Sequence, residues 1–141
     1  DSPNETFGVE LQSIHSDEDV DWYTFFVNDD GFDGNPIVSA SIEVLQATAD
    51  ESYDNSEYEI TMWLKCDSDG GDATDCLAGD GLGVSDFGVG CTQVGSWHEM
   101  SVSARINCDW ALDDSGTALV RVRKTERYGR CDQYTLSIDI K

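Results

Sequence analysis

From residue 37 onward the chain keeps returning to a two-residue rhythm. Val38, Ala40, Ile42 and Val44 alternate with Ser39, Ser41 and Glu43, and Tyr58, Ile60, Met62 and Leu64 alternate with Glu59, Thr61, Trp63 and Lys65. The spacing returns at Met100, Val102, Ala104 and Ile106, at Ala118, Val120 and Val122, and at Tyr134, Leu136, Ile138 and Ile140. Successive side chains of a strand point to opposite faces, so each such segment buries one face and wets the other. No apolar stripe of period 3.6 lasts three turns, which removes any long helix. With further strands at Thr6–Ile14 and Trp22–Val27, the pattern predicts an all-β chain, an antiparallel β-sandwich of about seven to nine strands in a single domain over residues 1–141.

The stretch from Ser16 to Asn35 carries the strongest hint of chemistry. Its middle, Trp22–Val27, is aromatic and β-branched, as in a strand buried on at least one face. Its flanks are acidic: Asp17, Glu18, Asp19 and Asp21 lead in, and Asp29, Asp30, Asp33 and Asn35 lead out, with Gly31 and Gly34 permitting a tight turn. Clustered oxygen donors at the rim of a stiff strand suit a hard cation, which makes Asp17, Asp19, Asp21, Asp29, Asp30 and Asp33 candidate Ca²⁺ ligands.

Charge narrows the partners. The formal net charge is −21, and sixteen acidic residues but no Lys or Arg precede Lys65. Nucleic acid and anionic membrane surfaces are poor partners, because association would bring like charges together. Apolar runs are only a few residues long, so no segment inserts into a bilayer. Beginning at Asp1, the chain reads as a secreted, extracellular product whose signal peptide has been removed. Five cysteines without a C-x-x-C pair then point to disulfides rather than zinc or a thiol enzyme. Cys66–Cys76 would staple an acidic loop and Cys91–Cys108 a hairpin, leaving Cys131 as a buried thiol or an intermolecular link.

Between residues 66 and 95 the periodicity disappears, and the segment is dense in Gly and Asp. It is expected to be one long loop, held by ligands or staples. Asp67, Asp69, Asp72 and Asp75 are a second set of candidate Ca²⁺ ligands. They do not form an EF-hand, because the glycine is misplaced, no Glu closes the loop and no amphipathic helices flank it.

Two further groups bear on partners. Five of the eight basic residues, Arg121, Arg123, Lys124, Arg127 and Arg130, fall within ten positions. Such a basic face on an acidic molecule either pairs with its own carboxylates or orients neighbouring copies. Trp63 stands on the polar side of its strand, and with Trp97 and Trp110 it is a candidate ligand platform or simply cover for the core.

The motif D-V-D-W-Y-T-F-F-V, followed by alternating strands, R-V-R-K and a final Y-T-L-S-I, resembles the bacterial pre-peptidase C-terminal domain. The resemblance covers Asp19–Val27 and Ala118–Ile140 well and Ile37–Leu64 loosely. It implies a jelly-roll-like sandwich of a kind attached to exported proteins, with calcium at sheet-edge loops. That inference falls on Asp19 and Asp21 and, less directly, on Asp17; the long Cys/Asp/Gly segment departs from the family. No G-x-S-x-G elbow or H-E-x-x-H helix is present, so no enzyme is expected. The leading expectation is a calcium-binding structural subunit that polymerises with copies of itself into an extracellular filament, with residues 6–14 as a candidate strand-exchange segment. The alternative is a calcium-stabilised accessory module that binds a carbohydrate or protein surface.

Overall fold

Among the described residues, ten strands pair as one long hairpin wound back on itself. In chain order they are β1 (Glu5–Ile14), β2 (Val20–Val27), β3 (Ile37–Leu45), β4 (Tyr58–Cys66), β5 (Ala73–Ala78), β6 (Asp80–Ser85), β7 (Gly88–Gly95), β8 (Glu99–Asn107), β9 (Gly116–Lys124) and β10 (Asp132–Ile140). Pairing nests inward, β1 with β10, β2 with β9, β3 with β8 and β4 with β7, every ladder antiparallel. Two five-stranded sheets result, ordered β1-β10-β3-β8-β5 and β2-β9-β4-β7-β6. This is a jelly-roll sandwich, with β5 and β6 added at one edge of each sheet. The computed structural model describes residues 5–14, 20–27, 36–45, 57–67, 73–95, 99–107, 115–125 and 132–141.

The alternation in the sequence is the alternation in the fold. Val38, Ala40, Ile42, Val102, Ala104, Ile106, Leu136, Ile138 and Ile140 of the first sheet meet Ile60, Met62, Leu64, Ala118, Val120 and Val122 of the second in one buried core. Fully burying an aliphatic side chain of this kind contributes about 1.5–3 kcal/mol.

The segment 66–95, expected to be a loop, is instead largely strand: it supplies β5, β6 and β7, which bring the strands among the described residues to ten. Its edge strands lack a clean alternation because their registers slip, between Cys76 and Ala78 in β5 and between Gly81 and Gly83 in β6. Gly88 enters β7 at φ 101°, and a Cβ there would collide with the carbonyl of Leu64. Glycine is required at that position.

A disulfide joins Cys76 of β5 to Cys91 of β7, their Cα atoms 5.7 Å apart. It therefore ties one sheet to the other, and it overturns both expected pairings, Cys66–Cys76 and Cys91–Cys108. The reason is the sheet change: β5 leaves the sheet of β4 and takes Cys76 away from Cys66, to face Cys91 of β7 across the sandwich. Closing a loop with a sequence separation of 15 contributes about 3 kcal/mol in the chain-entropy account. Cys66 is also disulfide-bonded, to a partner outside the described residues; Cys108 and Cys131 lie outside them.

A hydroxyl clasp joins the two sheets on the side away from β5 and β6. Tyr23 of β2 lies 2.6 Å, oxygen to oxygen, from Tyr134 of β10, and Tyr134 donates to Asp21 Oδ2 at 2.6 Å. Burial, then the bonds to Asp21 and Tyr23, push the Tyr134 phenol well above its ordinary pKa. The segment 6–14, expected to be available for strand exchange, pairs with β10 of its own chain.

Candidate functional site

The outward face of the second sheet concentrates the unusual side chains. On β2, Trp22, Thr24 and Phe26 point outward while Tyr23, Phe25 and Val27 turn toward the core. Register then builds rows across the sheet. Trp22 lies opposite Arg121, which lies opposite Thr61 and then Thr92; Thr24 lies opposite Leu119, then Trp63, then Gly90. Trp63 is the hub. Its ring stacks on Trp22, centroids 5.8 Å apart and planes 20° apart, and Phe87 of the β6–β7 turn tilts against it at 5.8 Å. Gly90 makes room for the indole, since a Cβ there would approach the Trp63 ring to 2.8 Å.

Trp63 is 7% exposed, whereas Trp22 is 49%, Phe87 53% and Phe26 60% exposed. Trp63 is therefore the floor of an aromatic surface and its neighbours are the surface itself. Beside it, Thr24, Lys65, Asp86, Phe87, Thr117 and Leu119 line a depression of about 320 Å³. The Lys65 ammonium donates to the Asp86 carbonyl at 3.2 Å, at the rim. Aromatic walls with interleaved hydroxyl and charged groups can stack on a ligand and orient it by hydrogen bonds.

The basic side chains beside this surface are not free. Arg121 Nη2 meets Glu59 Oε1 at 2.5 Å, and Arg123 donates to Glu59 Oε2 from Nε at 2.9 Å and from Nη2 at 2.6 Å. Thr61 adds a fourth hydrogen bond to Glu59 at 2.8 Å. Burial alone would raise the Glu59 pKa, but the bonds from Arg123, Thr61 and Arg121 outweigh it and hold the carboxyl below its ordinary range. The Arg121 guanidinium carbon also lies 5.5 Å from the Trp22 ring centroid and 5.1 Å from that of Trp63, a cation–π arrangement that braces the stack from one side. Of the two alternatives for the basic residues, Arg121 and Arg123 take the first, sharing one internal carboxylate, and Lys124 is turned inward and fully buried. Arg127 and Arg130 lie outside the described residues.

Of the candidate calcium ligands, Asp21 is engaged by Tyr134 on the inner side of β2, and Asp67 is exposed just beyond the end of β4. For Asp75 the backbone alone is described, in β5. Asp17, Asp19, Asp29, Asp30, Asp33, Asp69 and Asp72 lie outside the described residues, as do Trp97 and Trp110. Among the described residues no group of three or more His, Cys, Asp or Glu side chains could hold a metal ion.

Sequence reasoning found Trp63 but missed Trp22, Phe26 and Phe87. The parity of β2 held the signal for the first two, but Trp22-Tyr23-Thr24-Phe25-Phe26 is apolar on both faces and gives no inward direction. Phe87 sits in a turn, and only the β6–β7 hairpin returns it to Trp63.

On the opposite sheet, Ser41, Glu43, Glu99, Ser101, Thr135 and Ser137 are among the residues lining a second depression of about 410 Å³. Glu43 lies directly across from Glu99 in the ladder, a like-charge pair that weakens the sheet locally.

Among the described residues no helix is long and apolar enough to cross a membrane. No family model matches the chain, and no curated protein matches it. Among solved structures, the crystal structure of the 60-mer BFDV capsid protein aligns over 99% of this chain and 93% of that one, at 10% identity and a TM-score of 0.20. A likeness at that level carries no argument.

Proposed function

We propose that the chain is a non-catalytic recognition module whose ligand surface is the outer face of the second sheet, and that its ligand is a neutral glycan. The observation that carries this reading is the exposed set of Trp22, Phe26 and Phe87 bordering the hydroxyl- and charge-lined depression of Thr24, Lys65, Asp86 and Thr117. Sugar rings offer an apolar C–H face to an aromatic plane and hydroxyls to polar neighbours, and this surface supplies both partners. A net charge of −21 disfavours polyanionic chains, which selects neutral sugars. The floor of the surface is stiff, because Trp63 is wedged between Trp22, Phe87 and Gly90 and braced by Arg121, so little order is lost on binding.

Titration with a panel of neutral oligosaccharides, followed by Trp fluorescence, tests the reading. Saturable quenching that disappears in Phe87→Ala supports it; no response across the panel, with the fold intact, defeats it. The pre-peptidase-like kinship, an extracellular setting and calcium held by the acidic turns belong to the same proposal. Its calcium part is tested by chelation, which should lower the melting temperature because an ion bound only by the folded state stabilises it.

A further inference from the structure

The register of β6 against β7 slips between Gly81, opposite Cys91, and Gly83, opposite Gly90. Leu82 is the inserted residue, and Gly83 beside it takes a φ of 73°. A bulge of this kind re-aims a side chain. Here it aims Leu82 to the outer face of the second sheet. A Cβ built on Gly90 would lie 2.8 Å from the Trp63 ring and 3.2 Å from the Leu82 Cβ, so Gly90 is the gap between those two side chains. Leu82 is 50% exposed and takes no part in the core between the sheets.

The apolar surface therefore continues past Trp63. It crosses all five strands of the sheet, from Trp22 on β2, over the Trp63 floor and the Gly90 gap, to Leu82 on β6. Neighbouring strands lie about 4.8 Å apart, which sets Trp22 and Leu82 about 19 Å apart across the face. The depression lined by Thr24, Lys65, Asp86 and Thr117 takes up only the β2 side of that span, together with Phe87. A pyranose in a linear chain advances by about one strand interval, so the whole span holds about four units. A single sugar ring in the depression would leave Leu82 unused.

We propose that Leu82 is a specificity-determining residue of this surface, and that the ligand is a linear neutral oligosaccharide segment laid across the strands from Trp22 to Leu82. The inference rests on the neutral-glycan reading and deepens it by fixing the length and direction of the ligand. Binding is then spread along a chain, with Trp22 and Phe87 stacking on one part of it and Leu82 covering the apolar face of a ring beyond Trp63.

Fluorescence titration of the full chain with linear β-1,4-linked gluco-, manno- and xylo-oligosaccharides of two, four and six units is the test. In the series that quenches Trp emission, affinity should rise by about tenfold or more from two units to four and level off by six. Leu82→Ala, at an exposed position, should weaken binding of the four-unit ligand about fivefold, the loss expected from uncovering about 40 Å² of apolar surface, while melting stays native-like. Leu77→Ala, at a similarly exposed leucine on β5 of the other sheet, should leave that affinity unchanged. Equal affinity at two and six units, or a Leu82→Ala variant that binds four units as tightly as the native chain, would overturn this inference and leave the glycan reading standing. No quenching by any of the oligosaccharides, with the fold intact, would remove the glycan reading and this inference with it.

Discussion

Trp22 lies flat against Trp63, ring centroids 5.8 Å apart and planes inclined by 20°, although neither belongs to the core between the sheets. The pair is a small second core on the outside of the sandwich, closed by Phe87 and braced by Arg121. Its members should differ in effect. Trp63→Ala removes a buried indole and should destabilise the fold by about 3 kcal/mol, at the low end for such truncations. Trp22→Ala strips a half-exposed ring and should lose about 1 kcal/mol, within the range of one aromatic pair, together with the ligand response. Urea melts and near-UV circular dichroism measure the contrast; equal losses for both variants would remove the floor-and-surface distinction.

Glu59 gathers Arg121, Arg123 and Thr61 on one carboxylate, so Glu59→Gln at neutral pH should destabilise by about 2–3 kcal/mol, below the value for a fully buried pair because both arginines keep some solvent. The pH dependence follows from the sign of the shift. The folded carboxyl titrates below its ordinary value of 4.5, so its stabilisation is complete above that value and is lost as pH falls through the folded pKa. The difference in melting temperature between the native chain and Glu59→Gln should therefore shrink as pH is taken from 7 toward 3. A difference that stays constant would mean that charge at Glu59 contributes nothing.

What the sequence disclosed and what it hid divide along physical lines. Strands with one wet face, such as Tyr58–Cys66 and Asp132–Ile140, announce themselves because burial demands alternation. β5 and β6 do not, because they are edges with register shifts and exposed glycines, and Leu77 and Leu82 stay exposed there. That Arg121 and Arg123 share a face was legible from parity. Their common partner was not, since Glu59 reaches them only through the β4–β9 ladder, opposite Arg123 and two residues from the partner of Arg121. The aromatic surface was legible at Trp63 alone, because only there does an aromatic side chain break a polar face.

Asp21 separates a structural role from a metal role. It accepts the Tyr134 hydroxyl, which Tyr23 also reaches, so the three residues clasp β2 to β10. Asp21→Asn should destabilise by about 1.5–3 kcal/mol, the worth of a hydrogen bond to a charged acceptor, and by the same amount with excess calcium and with chelator. Thermal melts under both conditions measure this. A loss confined to the calcium-loaded protein would return Asp21 to the ligand set.

The remaining disulfide can be assigned from strand ends. Cys66 closes β4 opposite Gly116, and β8 closes at Asn107, whose chain neighbour is Cys108. A Cβ at Gly116 would strike both the Ile106 side chain and the Lys65 carbonyl, so the ends of β4 and β8 lie together at one end of the sandwich. Cys131 precedes Asp132, which pairs with Ile14 beside the Gln133–Leu45 pair, at the opposite end. Nine-residue strands rising about 3.3 Å per residue separate those ends by about 26 Å, far beyond the reach of a disulfide. Peptide mapping without reduction should therefore recover Cys66 linked to Cys108 and Cys76 linked to Cys91, with Cys131 alkylated as a thiol. A Cys66–Cys131 peptide would require the strand order itself to be redrawn.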